Sequence, residues 1–144
     1  MSLRRKQTLQ REKTRLDEQA RDPAIVQAAI EAVRDGLVLH AAGKIDEALK
    51  AYRRALGHLP NFADAHNALG VALRDAGDWD GALDAFELAI TLQPGHAQAH
   101  YNAGDLLAVQ GRYGDAAKAL QRAIDLDPAR VESYQRLGHV LFKM

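Results

Sequence analysis

A thirty-four-residue period constrains this chain more than any other feature in it. Shifting Ala63–His96 by thirty-four residues lays Gly70 on Gly104, Gly77 on Gly111, Ala82 on Ala116, Ala89 on Ala123 and Pro94 on Pro128. Twelve of the thirty-four positions are identical between Ala63–His96 and Ala97–Arg130, so the two segments share one plan. The same shift backwards finds Gly36, Gly43, Ala48, Ala55 and Pro60, and forwards it finds Gly138. A fixed period of this length implies stacked supersecondary units, each too small to bury its apolar face alone.

The physical content of one unit follows from its residues. Ala65, Ala68, Leu69, Ala72 and Leu73 recur at helical spacing, which predicts a helix over Ala63–Asp75 with one buried face. Gly77 supplies the left-handed residue that commonly ends a helix, and Asp78 is suited to cap the next one. A second helix is predicted over Trp79–Leu92, with Ala82, Leu83, Phe86, Ala89 and Ile90 inward, until Pro94 stops it. Gly70, Ala82 and Ala89 are expected where two backbones approach closely, with Trp79 and Phe86 filling the space between. In the preceding copy Asp22-Pro23 reads as a helix start, giving a first helix over about Pro23–Ala41 and a second over Asp46–Leu56. In the following copy Ala116, Leu120, Ala123 and Ile124 are expected inward.

The recurring pattern (Leu-Gly, glycine, aromatic, alanine, aromatic or leucine, alanine, proline) resembles the tetratricopeptide repeat over about Ala29–Met144. The resemblance implies an all-α fold, a right-handed superhelical solenoid of stacked antiparallel helix pairs. It implies three full repeats, at about 29–62, 63–96 and 97–130, plus a half repeat at 131–144, in an array spanning 22–144. The departures are modest. His66 and His100 stand where the family usually has tryptophan, Ala103 replaces the leucine before glycine, and the first copy has Asp35 and Ile45 for leucine and an aromatic.

The flanks differ from the array. Residues 1–21 are polar with a basic excess, and Leu3, Leu9 and Leu16 make only a thin apolar stripe. They are read as a solvated arm, frayed or loosely helical, with a docking helix as the alternative. Glu31 and Asp35 fall where the later copies have Ala65 and Leu69, then Ala99 and Ala103, so this edge is expected to lack a neighbouring repeat. Ile30, Val33 and Leu37 on the same helix are expected to meet something apolar, either the arm or a partner. At the other end the helix over Val131–Met144 carries Tyr134, Leu137, Val140, Leu141, Phe142 and Met144, too apolar for a solvated cap. Either the natural chain continues past Met144 or this helix pairs with another molecule, including a second copy through Tyr134, Leu141 and Phe142.

Little in the sequence points to chemistry. Nineteen basic and nineteen acidic residues cancel, which removes a bulk field toward nucleic acid. There is no cysteine, hence no disulfide or thiolate site. No apolar run approaches the roughly 18 residues of a spanning helix, so no membrane insertion is expected, and without a signal peptide the expected location is cytoplasmic. His66 and His100 repeat one structural position and are expected to pack between helices, while His96 and His100 lack a third ligand, so no metal is expected. No phosphate loop, cofactor motif or activated nucleophile is present, and the chain is read as not an enzyme.

What the resemblance implies is a groove lined by the first helices, which hold a protein or peptide partner. By register that surface comprises Asp64, Asn67 and Arg74, then Gln98, Tyr101, Asn102 and Asp105, then Gln135, Arg136 and His139. Amides here can bond a peptide backbone, and Tyr101 is expected to anchor. The family's clamp for a terminal carboxylate would fall on Val33, Leu37, Ala68, Gln98 and Asn102, or one copy later on Asn67, Val71, Asn102, Glu132 and Arg136. Its cations are mostly missing in both registers, so a chaperone-tail clamp is disfavoured. An asparagine ladder is also incomplete, with only Asn102 on a rung occupied otherwise by Arg34, Ala68 and Arg136. The function expected is a non-catalytic interaction scaffold. Two other readings stay open: the front portion of a larger enzyme such as a bacterial sulfotransferase or glycosyltransferase, and a self-associating assembly module.

Overall fold

Glycine and proline punctuate the chain into helices. In a computed structural model, which describes all 144 residues, there are eight α-helices and no strand. They are α1 (Leu3–Arg21), α2 (Pro23–Ala41), α3 (Ile45–His58), α4 (Ala63–Asp75), α5 (Trp79–Leu92), α6 (Ala97–Val109), α7 (Tyr113–Leu126) and α8 (Val131–Lys143). The turns between paired helices share one device. Gly43, Gly77 and Gly111 have φ of 78°, 88° and 77°, the left-handed conformation that costs glycine least. At the middle one, Gly77 N–H donates to Arg74 O (3.0 Å) and Asp78 N–H to Leu73 O (2.9 Å), which satisfies the last carbonyls of α4. Asp78 then accepts Gly81 N–H at 2.9 Å and starts α5.

The chain divides into two compact units, Met1–Phe62 and Ala63–Met144. In the first, Asp22 caps α2 by accepting Ala24 N–H at 2.9 Å, with Pro23 at the position where its missing N–H is harmless. Helices α2 and α3 form a hairpin around Ala29, Ala32, Gly36, Ala48, Ala51, Tyr52 and Ala55, all buried. Helix α3 runs two residues further than Leu56, because Gly57 is tolerated at the fraying end of a helix and the stop is Pro60. The leading segment is a continuous helix that touches α2 lightly; only Leu16 and Gln19 are even half-buried in it. It does not cover the apolar residues beside it: Ile30 is 38% and Leu37 53% exposed, while Val33 is half-buried. Glu31 is exposed and takes a bond from Gln27 at 3.2 Å, and Asp35 pairs with Arg54 at 3.4 Å.

Tyr52 is fully buried, and its hydroxyl has no hydrogen-bond partner. The residues in register with it, Phe86 and Leu120, have no hydroxyl to satisfy. An unpaired buried hydroxyl costs about 1–3 kcal/mol, so Tyr52→Phe should stabilise the protein by about 1 kcal/mol in a urea titration. Burial also raises the Tyr52 pKa above its ordinary 10.0. The folded state then holds the phenol proton more tightly than the unfolded chain does. That contribution is whole below the unfolded pKa and is lost as pH rises through the folded one. Tyr52→Phe should accordingly flatten the decline of stability above pH 10.0.

The second unit holds two hairpins, α4–α5 and α6–α7, followed by α8, with α5 against α6 and α7 against α8. First helices are neighbours: α6 touches both α4 and α8. The core is small and regular, with Ala82, Phe86 and Ala89 buried on α5 and Ala116, Leu120 and Ala123 at the same places on α7. Trp79 departs from expectation. It is the first residue of α5 and 43% exposed, whereas Phe86 is fully buried and lies against Gly70. None of the eight helices is long and apolar enough to cross a membrane.

Candidate peptide-binding groove

The expected groove residues of the second unit fall on α4, α6 and α8, and the structure brings most of them into two linked sets. In the first set Asn102 on α6 donates to Asn67 on α4 at 2.9 Å and accepts from Gln98 at 3.0 Å. Gln98 in turn accepts from the guanidinium of Arg130, which lies 5.2 Å over the Tyr101 ring. In the second set one carboxylate serves three helices. Asp105 on α6 meets Arg136 on α8 at 2.6 Å and Arg74 on α4 at 3.6 Å, with its own side chain 16% exposed.

Asn102 is 3% exposed, with its amide engaged on both sides. It braces its neighbours from beneath, while Tyr101, one residue earlier, is half-exposed. Asp64 lies at the edge, paired with His96 at 2.8 Å. His96 accepts Ala99 N–H at Nδ1 (3.1 Å), which leaves its Nε2–H to face Asp64. Tyr101, Glu132, Gln135, Arg136 and His139 line an open depression of about 280 Å³.

Arg130 is the member that register reasoning missed, because it lies in the turn before α8 and not on a first helix. A signal for it exists in the repeat itself. His96 reaches back thirty-two residues to Asp64, and Arg130 reaches back the same thirty-two to Gln98. The histidine at the family's tryptophan position also has a definite task. His100 Nε2–H donates to Pro94 O at 2.9 Å, and one repeat later Tyr134 Oη–H donates to Pro128 O at 2.9 Å. At this position the residue ties the turn to the helix after it, while His66, one repeat earlier, is buried. Tyr134, Leu141 and Phe142 remain 48%, 55% and 86% exposed. No three His, Asp or Glu side chains converge as a metal site would need.

Paired helices recurring in register, with polar first-helix faces laid side by side, define an α-helical repeat module built to present a surface. The chain belongs to the tetratricopeptide repeat family, which it matches over residues 33–97 and 72–131. No curated protein matches its sequence. Among solved structures it is similar to the first TPR of Spaghetti (RPAP3) bound to HSP90 peptide SRMEEVD, with 20% identity, 81% of this chain and 93% of that chain covered, and a TM-score of 0.78. The Arabidopsis OM64 TPR domain is similar at 15% identity, 83% and 99% coverage and a TM-score of 0.80. MamA is similar at 23% identity, 79% and 67% coverage and a TM-score of 0.74. At these identities the likeness is one of fold.

Proposed function

We propose that the chain is a non-catalytic interaction scaffold whose α4–α6–α8 face binds a peptide or a helix of another protein. The observation that carries this reading is the cross-braced polar surface, in which buried Asn102 and shared Asp105 hold three helices while Tyr101, Gln135 and His139 face outward. The solved relative bound to an HSP90 peptide offers the general mode, a peptide held by a module of the same fold. The acidic tail of such a peptide has poor counterparts here. Glu132 stands where a cation would be needed, and Asp105 already pairs with Arg136 and Arg74. The ligand in this reading is therefore held by its backbone and by an apolar or aromatic side chain on Tyr101.

Panning a displayed peptide library against the full chain tests this. Selected peptides should lose about tenfold or more in affinity for Tyr101→Ala combined with Gln135→Ala, at a temperature where thermal unfolding shows both proteins to be fully folded. Peptides that bind both proteins equally would move the binding face elsewhere. Asn102→Ala would not serve, because removing a buried, doubly bonded amide confounds binding with stability.

A further inference from the structure

Two helices carry charge of opposite sign at the same spacing. On α1, Arg4, Thr8, Arg11 and Arg15 stand at i, i+4, i+7 and i+11, which is one face of a helix. On α5, Asp80, Asp84, Glu87 and Thr91 stand at the same four places. All eight are exposed, and none of the three arginines or three carboxylates is in an ion pair. Each threonine hydroxyl turns back on its own helix: Thr8 donates to Arg4 O at 3.0 Å and Thr91 to Glu87 O at 2.9 Å. The other second helices lack the acidic stripe. In register with Asp80, Asp84 and Glu87, α3 has Asp46, Lys50 and Arg53, and α7 has Gly114, Lys118 and Gln121. Like charges one turn apart work against the helix that carries them, and no ion pair in the single chain offsets that.

We infer that the chain associates with a second copy of itself, the arginine face of α1 on one molecule lying along the acidic face of α5 on the other. Charge and spacing together select this occupant. The spacing of 4, 3 and 4 residues reads the same in both directions along a helix. Parallel or antiparallel, the two helices set two arginines opposite a carboxylate or hydroxyl partner on every rung and the third within one turn of Glu87. Guanidinium and carboxylate groups brought together this way form charge-assisted hydrogen bonds. Charge divides along the chain in the same sense: Met1–Arg21 holds seven basic and three acidic residues, and residues 22–144 hold twelve and sixteen. That division argues against a nucleic acid on α1, because a polyanion would be repelled by the remainder of the chain and would leave the α5 stripe unmatched. A lipid surface would need a continuous apolar face, and on α1 Lys6 and Lys13 stand one turn to either side of Leu9. Each copy carries both faces, so the contact repeats by symmetry. None of these residues belongs to the α4–α6–α8 groove, and the association does not depend on what that groove binds.

Analytical ultracentrifugation of the full chain between about 10 μM and 1 mM tests this. In dilute salt the average mass should rise with concentration, and about 0.5 M salt should weaken the association roughly tenfold or more. Arg4→Glu, Arg11→Glu and Arg15→Glu in one protein, or Asp80→Lys, Asp84→Lys and Glu87→Lys in another, should each remove it. An equimolar mixture of these two variants should restore it, because each then meets its complement in the other, and that recovery also shows both to be folded. Arg5→Glu, Lys6→Glu and Lys13→Glu changes the net charge equally off the arginine face and should keep the association to within about threefold. Tyr101→Ala with Gln135→Ala in the groove should leave it unchanged. A mass that stays at one chain, association that survives either stripe variant, or a mixture that stays monomeric would each overturn the inference. Equal loss in the off-face variant would overturn the pairing of faces and assign the effect to bulk charge. Binding of a DNA or RNA duplex through α1 without self-association would overturn the choice of partner. So would a loss of stability in a monomeric stripe variant that vanishes when both stripes are swapped in one chain, since the contact would then lie within a single molecule.

Discussion

Gly104→Leu is expected to lower stability by about 1–3 kcal/mol or more, the range for overpacking a filled interior. The reason is local and rigid. An added Cβ would stand 2.7 Å from Leu120 Cγ and 3.2 Å from Leu120 N, so relief requires moving the α7 backbone as well as a side chain. Leu120 is fully buried, and close-packed interiors leave little room for a side chain to retreat into. The matched control is Gly138→Ala, on a helix position of the same register with nothing within 4 Å. There the gain in helix propensity should dominate, stabilising by roughly 0.5–1 kcal/mol. Thermal unfolding of the two variants should thus move in opposite directions. A shared sign would mean that the glycine positions do not mark helix contacts at all.

Phe86→Ala is expected to cost about 3–5 kcal/mol, the range for truncating a wholly buried aromatic ring. Phe86 is 0% exposed and sits over Gly70, so the glycine that makes room for the ring has no side chain to collapse into the space left behind. Against a total stability of about 5–15 kcal/mol for an ordinary domain, such a loss is large. In a unit whose helices touch mainly their neighbours, the damage should begin at the α4–α5 hairpin. Hydrogen exchange should show amides of α4 and α5 losing protection before those of α7. Protection lost uniformly across the second unit would instead point to a single cooperative core.

Helix ends are the most legible part of the sequence. The predicted spans Pro23–Ala41, Ala63–Asp75 and Trp79–Leu92 coincide with α2, α4 and α5, because each is bounded by residues whose backbone chemistry permits little else. Gly77 is at positive φ, Asp78 accepts a free N–H, and Pro94 follows the close of α5. Which face of a first helix meets solvent is less legible. Asn102 and Tyr101 are adjacent polar residues with similar claims to the surface, yet between α4 and α8 one is buried and the other half-exposed. Which side of α6 its neighbours cover is decided by packing across helices and leaves no mark in a local pattern. Arg130 is hidden for a related reason, since its partner is thirty-two residues away and the side chain reaches it from a turn. Trp79 shows that bulk alone does not decide burial, because the first residue of a helix need not face the core.

The carboxylate shared by Arg74 and Arg136 has a thermodynamic consequence for any ligand of that face. Two long, flexible side chains, from α4 and α8, are already engaged in ion pairs with α6 in the free protein. Association then forfeits less rotational freedom on the protein's side, where each rotamer-rich residue ordered would otherwise cost about 0.5–1.5 kcal/mol. Affinity gained this way reflects rigidity already present in the free protein and needs no additional contact. Because partly exposed ion pairs provide that rigidity, concentrated salt should slacken the surface itself. Even an uncharged peptide would then feel the ionic strength of its buffer.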